Sequence, residues 1–342
     1  MSKVARNPGG PGNGSPDSQT INLAGGAVLH YTAMRLKRYG DLRQDPEWLQ
    51  GQLASDHSLV LPLWTDKNLF RTLGQSPAPA LLQMPDAAQF LASAVEVIYL
   101  GHDGERAVFA ADLAEQDRGH VKDLIEQSAP GCRFIDLRRV SAVVTPEQAS
   151  LLAYARVLAS WHRNNGFCAR CGHRTQPQRG GHMRHCGQCG REHFPRIDPA
   201  VIMLVEQPDP EGGQPRCLLG RHTRLPGRVY STLAGYVDPG ETLEQAVARE
   251  VWEEARIRVT DIRYVASQPW PFAGSLMLGF RAVSMDAEPD ISQDELEDAR
   301  WFTAAEMRDF GEFEDGNGAE FELPRQDSIA RLLIEQWMAD SG

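Results

Sequence analysis

The chain has 342 residues, six cysteines and a formal net charge of −11. That length allows about two domains with a sizeable core, and no stretch is apolar for long enough to span a membrane. The acidity is local: residues 286–323 hold 14 acids against two bases, so a broad nucleic-acid surface is excluded there by repulsion of phosphate.

Residues 1–20, "MSKVARNPGGPGNGSPDSQT", have no hydrophobic signal core, and their Gly, Pro, Ser and Asn content predicts a disordered tail. A cytoplasmic protein is expected. Residues 21–146 alternate short apolar runs with turns. "AVEVIYLG" and "RAVFAADL" read as strands and "DAAQFLASA" as a short helix. No chemical motif stands out, so an α+β domain for packing or dimer support is expected. Across 147–165, Leu151, Tyr154, Ala155, Leu158 and Trp161 recur at helical spacing. This helix should connect the first domain to the next, with His162 at its surface end. Cys132 and Cys217 stand alone and read as buried thiols.

The other four cysteines, Cys168, Cys171, Cys186 and Cys189, form "CARC" and "CGQC" with 14 residues between them. Two tight knuckles, each offering two sulfurs, suit one tetrahedral structural zinc ion per chain. Zinc is favoured over disulfides in a cytoplasmic chain, and no thioredoxin-like unit surrounds the pairs. This ribbon should span 166–195. From His162 to Arg196 the chain carries seven arginines and one acid. They could contact nucleic acid or offset the thiolate charge; no row of aromatic residues accompanies them.

The last segment, 196–342, reads as a mixed α/β (α+β) domain. "AVIMLVE", "RCLLGRH", "VYSTLAGYV" and "SLMLGFRAVSM" are strands, with helices near 242–255 and 326–338. Thr242 and Gln245 form a capping box that fixes the start of the first helix. Glu250, Glu253 and Glu254 then share one side of it. Like charges at such spacing repel by roughly 0.2–0.5 kcal/mol per pair. A solvated face tolerates that, but so does a cation between the carboxylates. Clustered hard oxygens suit Mg²⁺ or Mn²⁺, which commonly share their shell with substrate phosphates.

The stretch "GYVDPGETLEQAVAREVWEEARI" resembles a Nudix box from Gly235 through Glu241, Arg249, Glu250, Glu253 and Glu254. One position departs: Arg256 stands where a glycine would end the helix in a left-handed conformation, which should cost roughly 1 kcal/mol. Beyond the box, "SQPWPFAGS" resembles the SQPWPFPxS array of the NudC-type NADH pyrophosphatases, with Ala273 replacing the last proline. Two prolines bracketing Trp270 predict a stiff, exposed segment. The ribbon, "FPRIDPAVI" and "SIARLLIEQW" extend the likeness. The resemblance implies a Nudix fold, a mixed sheet sandwiched by helices, behind the ribbon and an N-terminal α+β domain. It implies hydrolysis of NAD(H) to AMP and NMN(H), with removal of NAD caps from RNA as a related activity. It makes Glu241, Arg249, Glu250, Glu253 and Glu254 catalytic, the three clustered glutamates together with Glu295 being Mg²⁺ or Mn²⁺ ligands. Phe194, Tyr236, Gln268, Pro269, Trp270, Pro271, Phe272, Ser275 and Ala330 would line the substrate site, Phe194 from the partner of a homodimer. A Nudix hydrolase for ADP-ribose, a nucleotide-binding regulator without catalysis and a nucleic-acid adaptor are the competing readings.

Overall fold

The structure, a computed structural model, describes residues 29–341 apart from 73, 75, 209–211, 224–226, 287, 293–295 and 315–317. The tail expected at 1–20 lies outside the described residues.

The first sheet contains β1 (Leu59–Trp64), β2 (Lys67–Arg71), β3 (Ala78–Pro79), β4 (Glu96–Asp103), β5 (Arg106–Asp112) and β6 (Cys132–Asp136). Its order is β3-β2-β1-β5-β4, with β6 paired to β2. Helices α1 (Pro46–Leu53), α2 (Ala87–Ser93), α3 (Arg118–Ser128) and α4 (Leu137–Val140) surround it. Helix α5 (Pro146–Asn164) starts with Pro146 at its first turn and a Thr145–Gln148 capping box. It is more than a connector. Ala155, Leu158 and Ala159 of α5 share a buried cluster with Leu61, Ile98 and Leu100 of the sheet. Small alanines let the helix sit close to the strands, so it belongs to the first core. His162, expected at the surface, is buried. Its Nε2 lies 2.7 Å from the Gly181 carbonyl and its Nδ1 lies 2.6 Å from Arg184 Nη1. The ribbon docks on this end of α5, which the helical period alone does not reveal.

The ribbon is a small sheet of β7 (Thr175–Gln178), β8 (Met183–Cys186) and β9 (Glu192–His193). Arg184 fastens it to the first sheet, donating to Glu96 at 2.5 Å, while its Nε donates within the ribbon to Thr175 Oγ1 at 2.8 Å. His182 Nε2 reaches the Tyr99 carbonyl at 2.7 Å.

The third sheet contains β10 (Asp198–Gln207), β11 (Arg216–His222), β12 (Leu233–Tyr236), β13 (Thr260–Trp270), β14 (Ser275–Val283) and β15 (Leu296–Thr303). The order is β13-β14-β10-β11-β15, with β12 paired to β10. Helices α6 (Leu243–Ala255), α7 (Ala304–Met307) and α8 (Ile329–Ser341) complete this region. Strand alternation divides β10 between two cores. Val201, Met203 and Val205 pack with Ala246, Val247 and Val251 of α6, whereas Ile202 and Leu204 pack with Ile329 and Leu333 of α8. The sheet is therefore covered on both faces.

The SQPWPF segment is not the exposed loop the prolines predicted. β13 runs through Trp270, and Pro269 is tolerated because β13 is an edge strand. Trp270 and Phe272 are half-buried and pack against the first core. Helix α8 starts later than the period predicts because Ser328 caps it, its Oγ accepting from the Arg331 amide at 3.3 Å.

Candidate active site

Strand β12 feeds a short loop into α6. Thr242 accepts from the Gln245 amide at 3.3 Å, and Gln245 returns the bond to Thr242 N at 2.8 Å. Glu241 closes the loop, its Oε1 accepting from the Asp238 amide at 2.7 Å. Arg249, one turn and a half into the helix, places all five of its N–H donors. They reach Glu241 at 2.6 and 3.0 Å, the Tyr236 carbonyl at 2.9 Å, Glu250 at 2.8 Å and Glu253 at 3.0 Å. These bonds, with the Asp238 amide behind them, hold the Glu241 carboxyl below its ordinary pKa. Glu241 and Arg249 thus lock strand, loop and helix into one piece.

Glu250 lies across β12. A Cβ added at Gly235 would sit 1.8 Å from its carboxyl carbon, so only glycine leaves the cradle that the carboxylate fills. Burial raises the Glu250 pKa, against the lowering effect of Arg249. Glu253 is exposed and Glu254 half-buried. The expected convergence is looser than a ligand shell. Among the described residues, the only group of three or more His, Cys, Asp or Glu with ligand atoms within 4.8 Å of one another is the four cysteines. Arg249 stands between Glu250 and Glu253 and offsets their repulsion. Glu295 lies outside the described residues. Arg256 keeps the left-handed conformation of the glycine it replaces, at φ 57° and ψ 24°, and its guanidinium lies over the Trp252 ring at 5.6 Å.

Tyr236 follows Gly235, so its ring falls on the opposite face of β12. It is 54% exposed, and its hydroxyl lies 3.4 Å from Ser275 Oγ. Ser275 pairs with Trp270 across the β13–β14 ladder. Beyond Trp270 lies a cavity of about 260 Å³, walled by Ile202, Met277, Phe313, Arg325, Ile329 and Ala330 among others. Of the expected substrate residues, Gln268, Trp270 and Ala330 meet here. Ile202 and Met277 were not anticipated; strand alternation could have flagged them. Phe313 and Arg325 gave no sequence signal. Gln268 does not offer its amide to a ligand. The residue is 0% exposed, its Nε2 donates to the carbonyls of His30 at 3.1 Å and Asp327 at 2.7 Å, and its Oε1 accepts from the Ile329 amide at 2.8 Å.

A larger groove, about 940 Å³, opens between the first core and β13. Phe194, Pro269, Trp270, Pro271 and Ser275 all border it, together with Ile197 and Tyr154. Phe194 is 54% exposed. Phe272 lies behind it, under the Arg138 guanidinium at 4.5 Å.

The four cysteines close the ribbon without disulfides. Cys168 and Cys189 sulfurs are 3.6 Å apart and those of Cys171 and Cys186 are 3.5 Å apart. Tetrahedral zinc–thiolate bonds of about 2.3 Å require sulfur separations near these. Each knuckle turns on a left-handed glycine, Gly172 at φ 74° and Gly190 at φ 71°, whose amides return to Cys168 and Cys186 at 2.9 Å. The cluster is a structural zinc site.

A sheet sandwiched by helices, with the Arg249-locked glutamates on α6, defines a Nudix hydrolase. Residues 196–320 match the NUDIX domain, residues 163–194 the NADH pyrophosphatase zinc ribbon domain and residues 57–161 the NADH pyrophosphatase-like rudimentary NUDIX domain. The NAD-capped RNA hydrolase NUDT12 of Macaca fascicularis is 33% identical over 90% of this chain and 73% of its own length. The NAD-capped RNA hydrolase NudC of Mycobacterium bovis is 39% identical over 71% of this chain and 76% of its own. Among solved structures, a NUDIX hydrolase from Nitrosomonas europaea aligns at 24% identity over 51% of this chain and 90% of that one, with a TM-score of 0.38. The chain belongs to the NADH pyrophosphatase family of Nudix hydrolases. No helix among the described residues is long and apolar enough to cross a membrane.

Proposed function

We propose that this protein hydrolyses the pyrophosphate of NAD(H) to AMP and NMN(H), and that NAD-capped RNA 5′ ends are cut at the same site. The observation that carries the reading is Glu250 pressed into the Gly235 cradle at the end of β12, with the cavity beyond Trp270 sized for one planar ring system. One water is consumed: its oxygen stays on one phosphate, and the bridging oxygen leaves with the other.

Glu250, Glu253 and Glu254 carry the hard carboxylate donors a divalent cation takes, and a cation drawing them together would displace Arg249 from Glu250 and Glu253. Mg²⁺ or Mn²⁺ bound there supplies neutralisation of phosphate charge and an acidified water. Glu295 is a further candidate ligand. Glu250, whose pKa burial raises, is made more basic by it and so better suited to take a proton. Arg249 and Glu241 are positioning residues, because every donor of Arg249 is already committed to the loop and helix. Trp270 and Ala330 border the ring pocket, and the exposed Tyr236 ring, whose hydroxyl lies 3.4 Å from Ser275 Oγ, offers a stacking face.

The groove bordered by Phe194 and Ile197 fits a second copy of the chain. Exposed apolar side chains around a concave apolar face mark an association surface, and pairing would bring Phe194 to the partner's site. A mass near twice 37.9 kDa in sedimentation supports the dimer; a monomer at all concentrations removes it. For the activity, NADH, NAD⁺, ADP-ribose, diadenosine polyphosphates and NAD-capped RNA are incubated with Mg²⁺ or Mn²⁺. Mononucleotide products from NADH and a 5′-monophosphate RNA are expected. No product from any of them overturns the assignment.

A further inference from the structure

The residues behind the ring pocket belong to parts of the chain nearly 300 positions apart. Asp327 is 3% exposed. Its carboxylate accepts from Tyr31 Oη at 3.2 Å and from Arg325 Nε at 2.9 Å and Nη2 at 3.1 Å. Arg325 Nη2 also donates to the Arg138 carbonyl of α4 at 2.9 Å and to Oγ of Ser141, which ends that helix, at 2.6 Å. Gln268 ties the His30 and Asp327 carbonyls to the Ile329 amide. The Tyr31 ring meets Trp270 and Phe272 edge-on, each at 6.1 Å between centroids. Leu29 lies in the core under α8, Tyr31 lies in the core under α5, and the Ala33 amide is held by Ser150 of α5 at 2.9 Å. The segment from Leu29 to Ala33 therefore stitches the two cores together directly behind Trp270, Arg325, Ile329 and Ala330, which wall the pocket.

We propose that Tyr31, Gln268, Asp327 and Arg325 form a positioning network through which the N-terminal domain sets the shape of the ring pocket. The inference rests on the pocket reading given above. Asp327 is buried beyond the reach of bulk water and depends on its donors; taking one away leaves a carboxylate short of partners in a low-dielectric place. The cheapest relief is movement of the Pro324–Ser328 turn, which carries Arg325 and the start of α8 into or away from the pocket. None of the four needs to touch the reacting phosphates. The network should therefore govern binding of the ring and leave the chemical step alone.

The test compares Tyr31→Phe and Asp327→Asn with Ala330→Leu, which narrows the pocket directly, by NADH steady-state kinetics in the full chain and by thermal melting. Loss of one such hydrogen bond, worth about 1 kcal/mol, corresponds to about a fivefold rise in KM, with kcat within about twofold, the signature of lost ground-state binding. Such a rise in both network variants supports the proposal. An unchanged KM in both, or a fall in kcat at unchanged KM, overturns it. Asp327→Asn keeps the side-chain shape and lies outside the pocket wall, so it carries the test if Tyr31→Phe melts below the assay temperature. If Ala330→Leu also leaves NADH kinetics untouched, the pocket reading itself fails; if Ala330→Leu raises KM and the network variants do not, only the positioning role fails.

Discussion

Glu250 sits under opposing demands. Burial over Gly235 raises its pKa, and the adjacent Arg249 lowers it, with burial the larger effect. A carboxyl whose folded pKa is raised weakens the fold as pH climbs from the ordinary value of 4.5 through the folded one, because the native state must then take on a charge it disfavours. Glu250→Gln is therefore expected to lower NADH turnover about 10²–10⁴-fold while raising the melting temperature of the metal-free protein at pH 7. Melting curves and kcat from one preparation check both signs; a lower melting temperature contradicts the strain on Glu250. Arg256 is a second residue under strain. Its left-handed backbone at φ 57° costs about 1 kcal/mol for a non-glycine residue, offset in part by the Trp252 ring and the negative end of the helix dipole. Arg256→Ala keeps the strain and loses the offsets, so it should be the least stable of the Arg, Gly and Ala series in urea unfolding.

At the scale of elements, α6 is set by local signals. The Thr242–Gln245 box starts it and Arg249 ties it to the loop, so its position was legible before any tertiary contact was known. The approach of strand to helix was expected from Gly235, Pro239 and Gly240; its closeness at Gly235, where a Cβ would strike the Glu250 carboxyl, was not. Gly235→Ala is expected to displace the Glu250 carboxylate, whose end is flexible, and to lower kcat by about 10²-fold through misplacement with little change in melting temperature. A variant that retains wild-type kcat removes Glu250 from the reaction. The ribbon is the opposite case. Its short strands have few apolar residues, so four thiolates on one ion hold it. Stripping zinc with a strong chelator should release about one equivalent per chain and lower the melting temperature. Unchanged melting after complete zinc loss would mean that the contacts of Arg184 suffice.

The molecule as a whole should be sensitive to acid at the junction of ribbon and first domain. His162 and His182 are both buried there, and burial lowers each pKa to about 4. Near neutrality both are uncharged in either state. As pH falls below the ordinary histidine value of 6.5, the unfolded chain gains protons that the folded one refuses, so stability drops toward pH 4. The melting temperature should fall across that window, and His182→Gln should flatten the slope. An unchanged slope would place the acid sensitivity elsewhere.

The sequence by itself determined whatever depends on near neighbours. Knuckle cysteines lie three positions apart and share a tight turn; the glutamates of α6 lie about one helical turn apart; strand runs reveal themselves by alternation. These patterns fixed the order of the parts, the zinc ligands and the identity of the acidic helix. Only the tertiary structure decided which side chains are spent on holding the protein together. Gln268 read as a substrate contact because it sits inside a recognisable array, yet its amide is consumed by three backbone groups. The helix at 147–165 read as a connector, yet its alanines lie in a core. Tyr31 and Asp327 are 296 positions apart, and no local pattern brings a phenol to a carboxylate across that distance. Burial and hydrogen-bond partnership arise from the meeting of distant segments, whereas capping, periodicity and ligand spacing are written within a few residues of chain.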